Sequence, residues 1–419
     1  MNEDFIQGYE CRRSALIALL SFERNGYAVA ETLSRHGQMD PRDHGLALEI
    51  ATTTLRHMLL LDHYLEPFLR GPTSPEVRWA LRMSLAQIHI LSRIPVHAAV
   101  DLGVELAREA GGDGASRFAN AVLRRAAYRA PEPPTGDDAR SLSVRHSHPL
   151  WLVERWLSRH GLEATRAMLQ AGSEEPAIWV RVRPGTTDLP WTPNEIRDTA
   201  HDGLFVRPGL ARDAVLSHKS FVSGKLALQD PSSGAVALAL SAHLPAGAAV
   251  ADVCAAPGGK LACLHDLGFL EGRTVLALDS SVQRQGRTRD GFRQRGLDAL
   301  VAAADGCFPP VREGSLDAVL LDAPCSNLGV LSRRPEARWR ATAGTARFHG
   351  KLQTELLRAG LALLKPGGVI VYSVCSTEAE ECDEVVDRVA DQVDVLERDL
   401  HLPGVQGWDG FYRATLRRK

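Results

Sequence analysis

Two cysteines follow short apolar runs: Cys325 in LLDAPCSNLGV (320–330) and Cys375 in VYSVCSTEAEE (371–381). If those runs are strands, both thiols lie at strand ends. A lone cysteine there reads as a small core residue. Two at the mouth of one sheet suit nucleophilic chemistry, because the thiolate attacks electrophilic carbon. Asp322, three residues before Cys325, could handle a proton in the same pocket. Upstream, CAAPGGK runs from Cys254 through Ala255, Ala256, Pro257, Gly258 and Gly259 to Lys260. Its glycines let the backbone approach a ligand closely, and the helix that follows offers free amides. Turns of this kind hold nucleotide-like groups, although a Gly-Gly pair alone serves structure as often. Neither G-x-G-x-x-G nor a Walker lysine-serine pair is present. Asp279 closes TVLALD, where an acid can accept from ribose hydroxyls or merely cap the next helix. Asp305, in AADG, either meets the same ligand or makes a turn with Gly306.

These residues need a parallel sheet to bring them together. From about residue 223, strand-like runs alternate with helical stretches: AAVADVCA, TVLALDS, LDAVLLDAP and GGVIVYSVCS. That alternation predicts an α/β sheet with crossover helices, whose ligands sit beyond the carboxyl ends of the strands. Residues 1–130 read as all-helical, with apolar residues at three and four, as in Leu55, Met58, Leu59, Tyr64, Leu65 and Phe68. A second such stretch runs through Trp79, Met83, Ile88 and Leu91 until Pro95 interrupts it. APEPPTGDD (130–138) reads as a boundary. Residues 140–222 are mixed, with a helix carrying Trp151 and Trp156 and a strand, AIWVRV, that stops at Pro184. The expected domains are therefore 1–130, 140–222 and 223–419.

A chain of 419 residues with 44% apolar and 24% charged residues suits two or three folded domains. No run of eighteen apolar residues appears, so no membrane span is expected, and the N-terminus does not read as a secretion signal. The seven cysteines (Cys11, Cys254, Cys263, Cys307, Cys325, Cys375, Cys382) show no zinc-finger spacing. They read as free thiols in a reducing cytoplasm, with no metal. The formal net charge of -2 does not by itself suggest nucleic acid. Arginines nevertheless cluster at 284, 287, 289, 293 and 295, at 333, 334, 338 and 340, and before the final Lys419. One basic face can bind phosphates on a neutral protein, although each run also reads as a solvated helix surface.

Taken together, CAAPGGK, DAPCSNLGV and the later strand-end cysteine resemble the RNA cytosine-5 methyltransferase family. TLRHMLLLDHYL, LSRIPVHAAV, FANAVLRRAAYR, HPLWLVERW, LQDPSSG, RPEARW, LLKPGGVIVYSVCS and GFYRATLRR extend the resemblance over nearly the whole chain. They point to the small-subunit ribosomal RNA branch that carries an N-terminal NusB-like domain. The resemblance implies a helical RNA-binding domain at 1–130, a small mixed α+β linker domain, and a Rossmann-like class I methyltransferase domain. GFYRATLRR would be that domain's reversed last strand. It implies that Cys254–Lys260, Asp279, Asp305 and Asp322 surround S-adenosylmethionine. It also implies that Cys375 is the nucleophile and Cys325 serves product release, whereas DNA enzymes use the earlier cysteine. The residues alone leave that choice open. Two departures stand out: Arg334 where members often have histidine, and Ala379 and Cys382 within a frequent PEEN pattern.

Covalent chemistry explains the need for these types. Thiolate attack on carbon 6 of cytosine makes carbon 5 an enamine nucleophile for the sulfonium methyl, and a base then removes the carbon 5 proton. An acid near nitrogen 3, assigned to Asp322, offsets charge on the ring. The base must leave its stack to be reached, and Arg284, Arg287, Arg333, Arg334 and Arg338 are expected to hold flanking phosphates. Lys351 reads as surface. A monomer is the default expectation. The alternatives are the same chemistry on transfer RNA or another ribosomal position, a non-catalytic RNA-binding assembly factor, and a dehydrogenase. The intact cysteines, Asp322 and Lys260 argue against the second, and the missing G-x-G-x-x-G against the third.

Overall fold

The computed structural model describes residues 3–35, 39–91 and 93–419. They form two compact units, one running to Glu175 and including Leu331–Arg340, the other comprising Pro176–Val330 and Ala341–Lys419. The boundary falls inside the expected 140–222 segment. No described helix is long and apolar enough to cross a membrane.

The first unit is helical: Glu3–Asn25, Val29–Arg35, Pro41–Arg56, Met58–Leu65, Pro75–His89, Val96–Arg129, Ala139–His146 and Leu150–Ser173. Side-chain caps start several of these. Asp40 accepts from Arg42, Ser74 from Val77, and Asp138 from Arg140 and Ser141, each satisfying amides that lack an intrahelical partner. Pro41 and Pro75 occupy first-turn positions, where no amide is needed. Pro95 ends up as the N-cap of Val96–Arg129, consistent with its reading as an interruption. That long helix kinks at Gly111 and Gly112, and the positive φ of 69° at Gly112 suits only glycine comfortably. Leu19, Ile50, Leu55, Trp79 and Met83 fill one core, and Leu61, Leu81, Leu85 and Leu123 another.

Residues 331–340 correct one expectation. The sequence places Arg338 among RNA-facing arginines, but it is fully buried in the first unit. Its guanidinium donates to the carbonyls of Ser147 (3.0 Å), Gly172 (2.6 Å) and Leu331 (3.1 Å). Burial, followed by repulsion from Arg56, pushes its pKa down to about 9. The side chain is consumed by structure and has no surface for phosphate. Arg333 and Arg334, one turn earlier, are exposed.

The second unit holds two sheets. In the smaller, β1 (Val180–Val182), β2 (Ile196–Ala200), β3 (Phe205–Pro208) and β4 (Leu226–Leu228) pair antiparallel in the order β2-β3-β1-β4. The larger comprises β5 (Ala249–Asp252), β6 (Thr274–Asp279), β7 (Leu300–Ala303), β8 (Leu316–Asp322), β9 (Leu364–Val374), β10 (Val393–His401) and β11 (Phe411–Arg418). Its order is β10-β11-β9-β8-β5-β6-β7. β5 to β9 run parallel, and β11 runs antiparallel to β9, as the reversed last strand should. Both faces are covered, so alternate residues enter different cores: Val250, Ala318, Leu320 and Val371 on one side, Ala251, Val319, Leu321 and Ile370 on the other. Helices Pro231–Ser241, Gly259–Asp266 and Val282–Arg295 pack on the first face, and Thr345–Leu363 packs on the second. The order changes direction between β5 and β8, which opens a crevice beyond their carboxyl ends.

Arg338→Ala is expected to leave buried carbonyls without donors, at about 1–3 kcal/mol each, whereas exposed Arg334→Ala should change stability by under about 0.5 kcal/mol. Urea unfolding of the two variants checks this. Burial first, and arginine neighbours second, hold His57 and His146 down at about 4 and His148 well below its usual range. These groups are neutral in the fold and take up protons on unfolding. Their contribution is full above pH 6.5, the ordinary histidine value, and is lost as pH falls toward 4. Denaturant midpoints at pH 7 and pH 5 should show the decline, and equal midpoints would contradict it.

Candidate active site

Five strand ends converge on the crevice. β5 ends at Asp252, whose side chain accepts from the Cys254 amide at 3.1 Å. It is 1% exposed, and burial, opposed by Lys260 and reinforced by Asp322, raises its pKa to about 7. Sequence reasoning passed over Asp252, although its signal, an acid closing a strand, is the one used for Asp279. The chain then turns through Ala255, Ala256 and Pro257 into the helix that begins at Gly259. Gly258 has φ 92°, and a Cβ there would lie 2.6 Å from the Phe292 ring, so the turn requires glycine on both counts. The Cys254 thiol is pushed up by burial and then by Asp252, which leaves it protonated rather than reactive.

At the end of β6, Asp279 accepts from the amides of Ala256 (3.2 Å) and Ser281 (2.9 Å) and pairs with Arg284 at 2.8 Å. Its carboxylate thus braces the CAAPGGK turn, and the cap of the next helix is Ser281. Asp305, two residues beyond β7, is exposed and accepts from the Cys307 amide at 2.9 Å. Its neighbour Gly306 is buried against Val253 and Cys254, where a Cβ would lie 3.2 Å from the Val253 carbonyl oxygen. Asp279 thus braces the CAAPGGK turn, and Asp305 lies on the next loop, whose Gly306 packs beside Val253 and Cys254.

β8 and β9 position Asp322, Cys325 and Cys375. Asp322 accepts from the Lys260 ammonium at 2.5 Å and from the Ser373 hydroxyl at 2.8 Å. Burial opposes the Lys260 charge, but Asp322 and its hydrogen bond, then Asp252 and Cys375, outweigh it and raise its pKa. The Cys325 and Cys375 sulfurs lie 2.9 Å apart. Cys325 is 7% exposed, and its thiol is held well above the ordinary range, first by the hydrogen bond to Cys375 and then by burial. Cys375 is only half-buried and donates to the Asn327 amide oxygen at 3.3 Å. Asn327 stands at φ 61° and returns a bond to the Cys325 carbonyl at 3.0 Å. No sequence signal marked Asn327 or Ser373, because both act through strand register and loop shape.

Of the expected RNA contacts, Arg284 and Arg287 lie exposed on Val282–Arg295. Arg295, in the same run, is instead drawn to Asp266 at 3.0 Å, beside the buried Arg181–Asp266 pair. Among the described residues, no group of three ligating side chains could hold a metal ion. The raised Asp252 carboxyl favours its protonated form. Its ionisation therefore weakens the fold progressively as pH climbs from about 4 toward 7. Asp252→Asn should raise the unfolding temperature relative to wild type at pH 8 and leave it unchanged at pH 5, which calorimetry at the two pH values checks.

Family models match three segments: the NusB family over residues 10–128, the RsmF/B-like ferredoxin-like domain over 148–189, and 16S rRNA methyltransferase RsmB/F over 239–417. A Bacillus subtilis protein named "Probable ribosomal RNA small subunit methyltransferase B" is 31% identical over 97% of this chain and 98% of its own. The Vibrio cholerae ribosomal RNA small subunit methyltransferase B is 31% identical over 97% of both chains. The solved structure of PH0851 shares the fold, with a TM-score of 0.76 at 21% identity over 98% of both chains. With relatives this similar along almost the full length, and the CAAPGGK turn and paired thiols in the matched segment, the chain belongs to the RsmB/F family of 16S ribosomal RNA methyltransferases.

Proposed function

We propose that this protein transfers a methyl group from S-adenosylmethionine to carbon 5 of a cytosine in small-subunit ribosomal RNA through a covalent Cys375–RNA intermediate. The observation that carries this reading is the pair of thiols 2.9 Å apart beside the Lys260–Asp322 ion pair. The crevice fits the methyl donor. The first-turn amides of the Gly259–Asp266 helix and the carboxylates of Asp279 and Asp305 suit its polar ends. Bound there, S-adenosylmethionine supplies an electrophilic methyl group on a sulfonium.

The chain's own residues do the rest. Cys375 thiolate adds to carbon 6 of the extruded cytosine, forming a C–S bond and moving the ring electrons toward carbon 5. Lys260 and Asp322, sharing a proton, face the charge that grows at nitrogen 3. After carbon 5 has gained its methyl group, a base removes the proton there, the 5,6 double bond re-forms and Cys375 leaves as thiolate. Cys325 serves as that base. In the free enzyme Cys375 and burial keep it protonated. Once Cys375 is a neutral thioether, the neighbouring sulfur no longer opposes a Cys325 thiolate, so the Cys325 thiol gives its own proton to solvent before it takes the one from carbon 5. Arg284, Arg287, Arg333 and Arg334 are proposed as phosphate contacts, and Arg338 is left out of that set.

Cys375→Ala should abolish methyl transfer and remove the stable adduct formed with RNA containing 5-fluorocytosine. Cys325→Ala should still attack but release product about 10²–10⁴-fold more slowly, so an RNA–protein complex accumulates on denaturing gels. Bisulfite sequencing of ribosomal RNA from cells lacking the gene reads the target. Wild-type methylation by Cys375→Ala would refute the covalent reading.

A further inference from the structure

Each reactive cysteine is followed by a serine, and both serines end on one carboxylate. Glu381 is fully buried. Its Oε1 accepts from the Ser326 amide at 2.8 Å and the Gln353 side chain at 3.1 Å. Its Oε2 accepts from the hydroxyls of Ser326 and Ser376, both at 2.5 Å. Those hydroxyls lie 3.2 Å from each other. Gln353 also donates to the Pro324 carbonyl at 2.9 Å, and the Tyr372 hydroxyl donates to the Glu381 carbonyl at 2.5 Å. All of these side chains are 7% exposed or less. None of the four donors to the carboxylate is cationic, so the group is held by directional hydrogen bonds alone.

We propose that Glu381 is a positioning residue for methyl transfer, bridging Ser326 and Ser376 so that the Cys325 and Cys375 thiols are set at a fixed separation. This rests on the two-thiol reading above. β8 ends at Asp322, three residues short of Cys325, and strand pairing does not extend to that thiol. Loop contacts must place it. The carboxylate bonds the residue after each cysteine, with Oε2 shared by the two hydroxyls and Oε1 holding the Ser326 amide. Misplacing a reacting group by 1 Å can cost about a hundredfold in rate, so the contact controls turnover without touching substrate.

The test uses the full-length enzyme and transcribed small-subunit ribosomal RNA. Glu381→Gln keeps the shape but replaces one acceptor with a donor, which disrupts one serine contact. We expect kcat to fall about a hundredfold, the KM for S-adenosylmethionine to stay unchanged, and the pH profile of kcat to shift as the thiols separate. The Ser326→Ala/Ser376→Ala double variant should lose comparable rate, and adding Glu381→Gln to it should lose little more. A folded Glu381→Gln enzyme with wild-type kcat overturns the proposal. So does a parallel loss of S-adenosylmethionine binding, which marks a general structural role. If Glu381→Gln does not fold, the double serine variant decides, and wild-type kcat there overturns the proposal. Methylation by Cys375→Ala would instead sink the covalent reading, so the two failures are distinguishable.

Discussion

Parallel pairing of β8 with β9 sets Asp322 level with Ser373, and the rest of the reactive mouth depends on that register. Two thiols fifty residues apart in sequence come within 2.9 Å because their strands are neighbours ending at the same edge. A one-residue slip would turn Ser373 away from Asp322 and send alternate side chains to the opposite face. Side-chain shape rather than polarity guards against this, since both faces of β8 are apolar and Val319 and Leu320 pack into different cores. Packing of the sheet is thus what sets the geometry of the two thiols and Asp322.

Charge at the mouth is arranged with the same economy. Lys260 is the cation shared by Asp322 and, at longer range, Asp252 and Cys375. A low-dielectric surrounding strengthens each of these attractions, and it also makes a buried carboxylate unfavourable, as the raised Asp252 shows. One ammonium therefore serves three anionic or potentially anionic groups. It is delivered by the first turn of the helix that the CAAPGGK turn begins, so that turn and the Lys260–Asp322 ion pair share one piece of backbone.

The arginine-rich stretches show how little a charge run says without burial. Arg333 and Arg334 are exposed, whereas Arg338, in the same ten residues, is buried and spent on carbonyl groups of the first unit. Guanidinium groups suit such sites because their planar fork meets several carbonyls at once. The run at 284–295 divides likewise: Arg284 pairs with Asp279, Arg295 with Asp266, and Arg287 stands exposed.

The amino-acid sequence alone determined the alternating α/β pattern and the helical first segment, because periodicity and strand-end punctuation are local, whereas the reversed last strand followed from the family resemblance. It could equally mark Cys325, Cys375, Asp279 and Asp322 as strand-end residues. What it could not carry were relations between distant segments. That Lys260 meets Asp322, that Ser326 and Ser376 converge on Glu381, and that Arg338 turns inward follow from strand order, register and burial. Those properties exist only once non-local backbone pairing and core packing have chosen one arrangement of the chain.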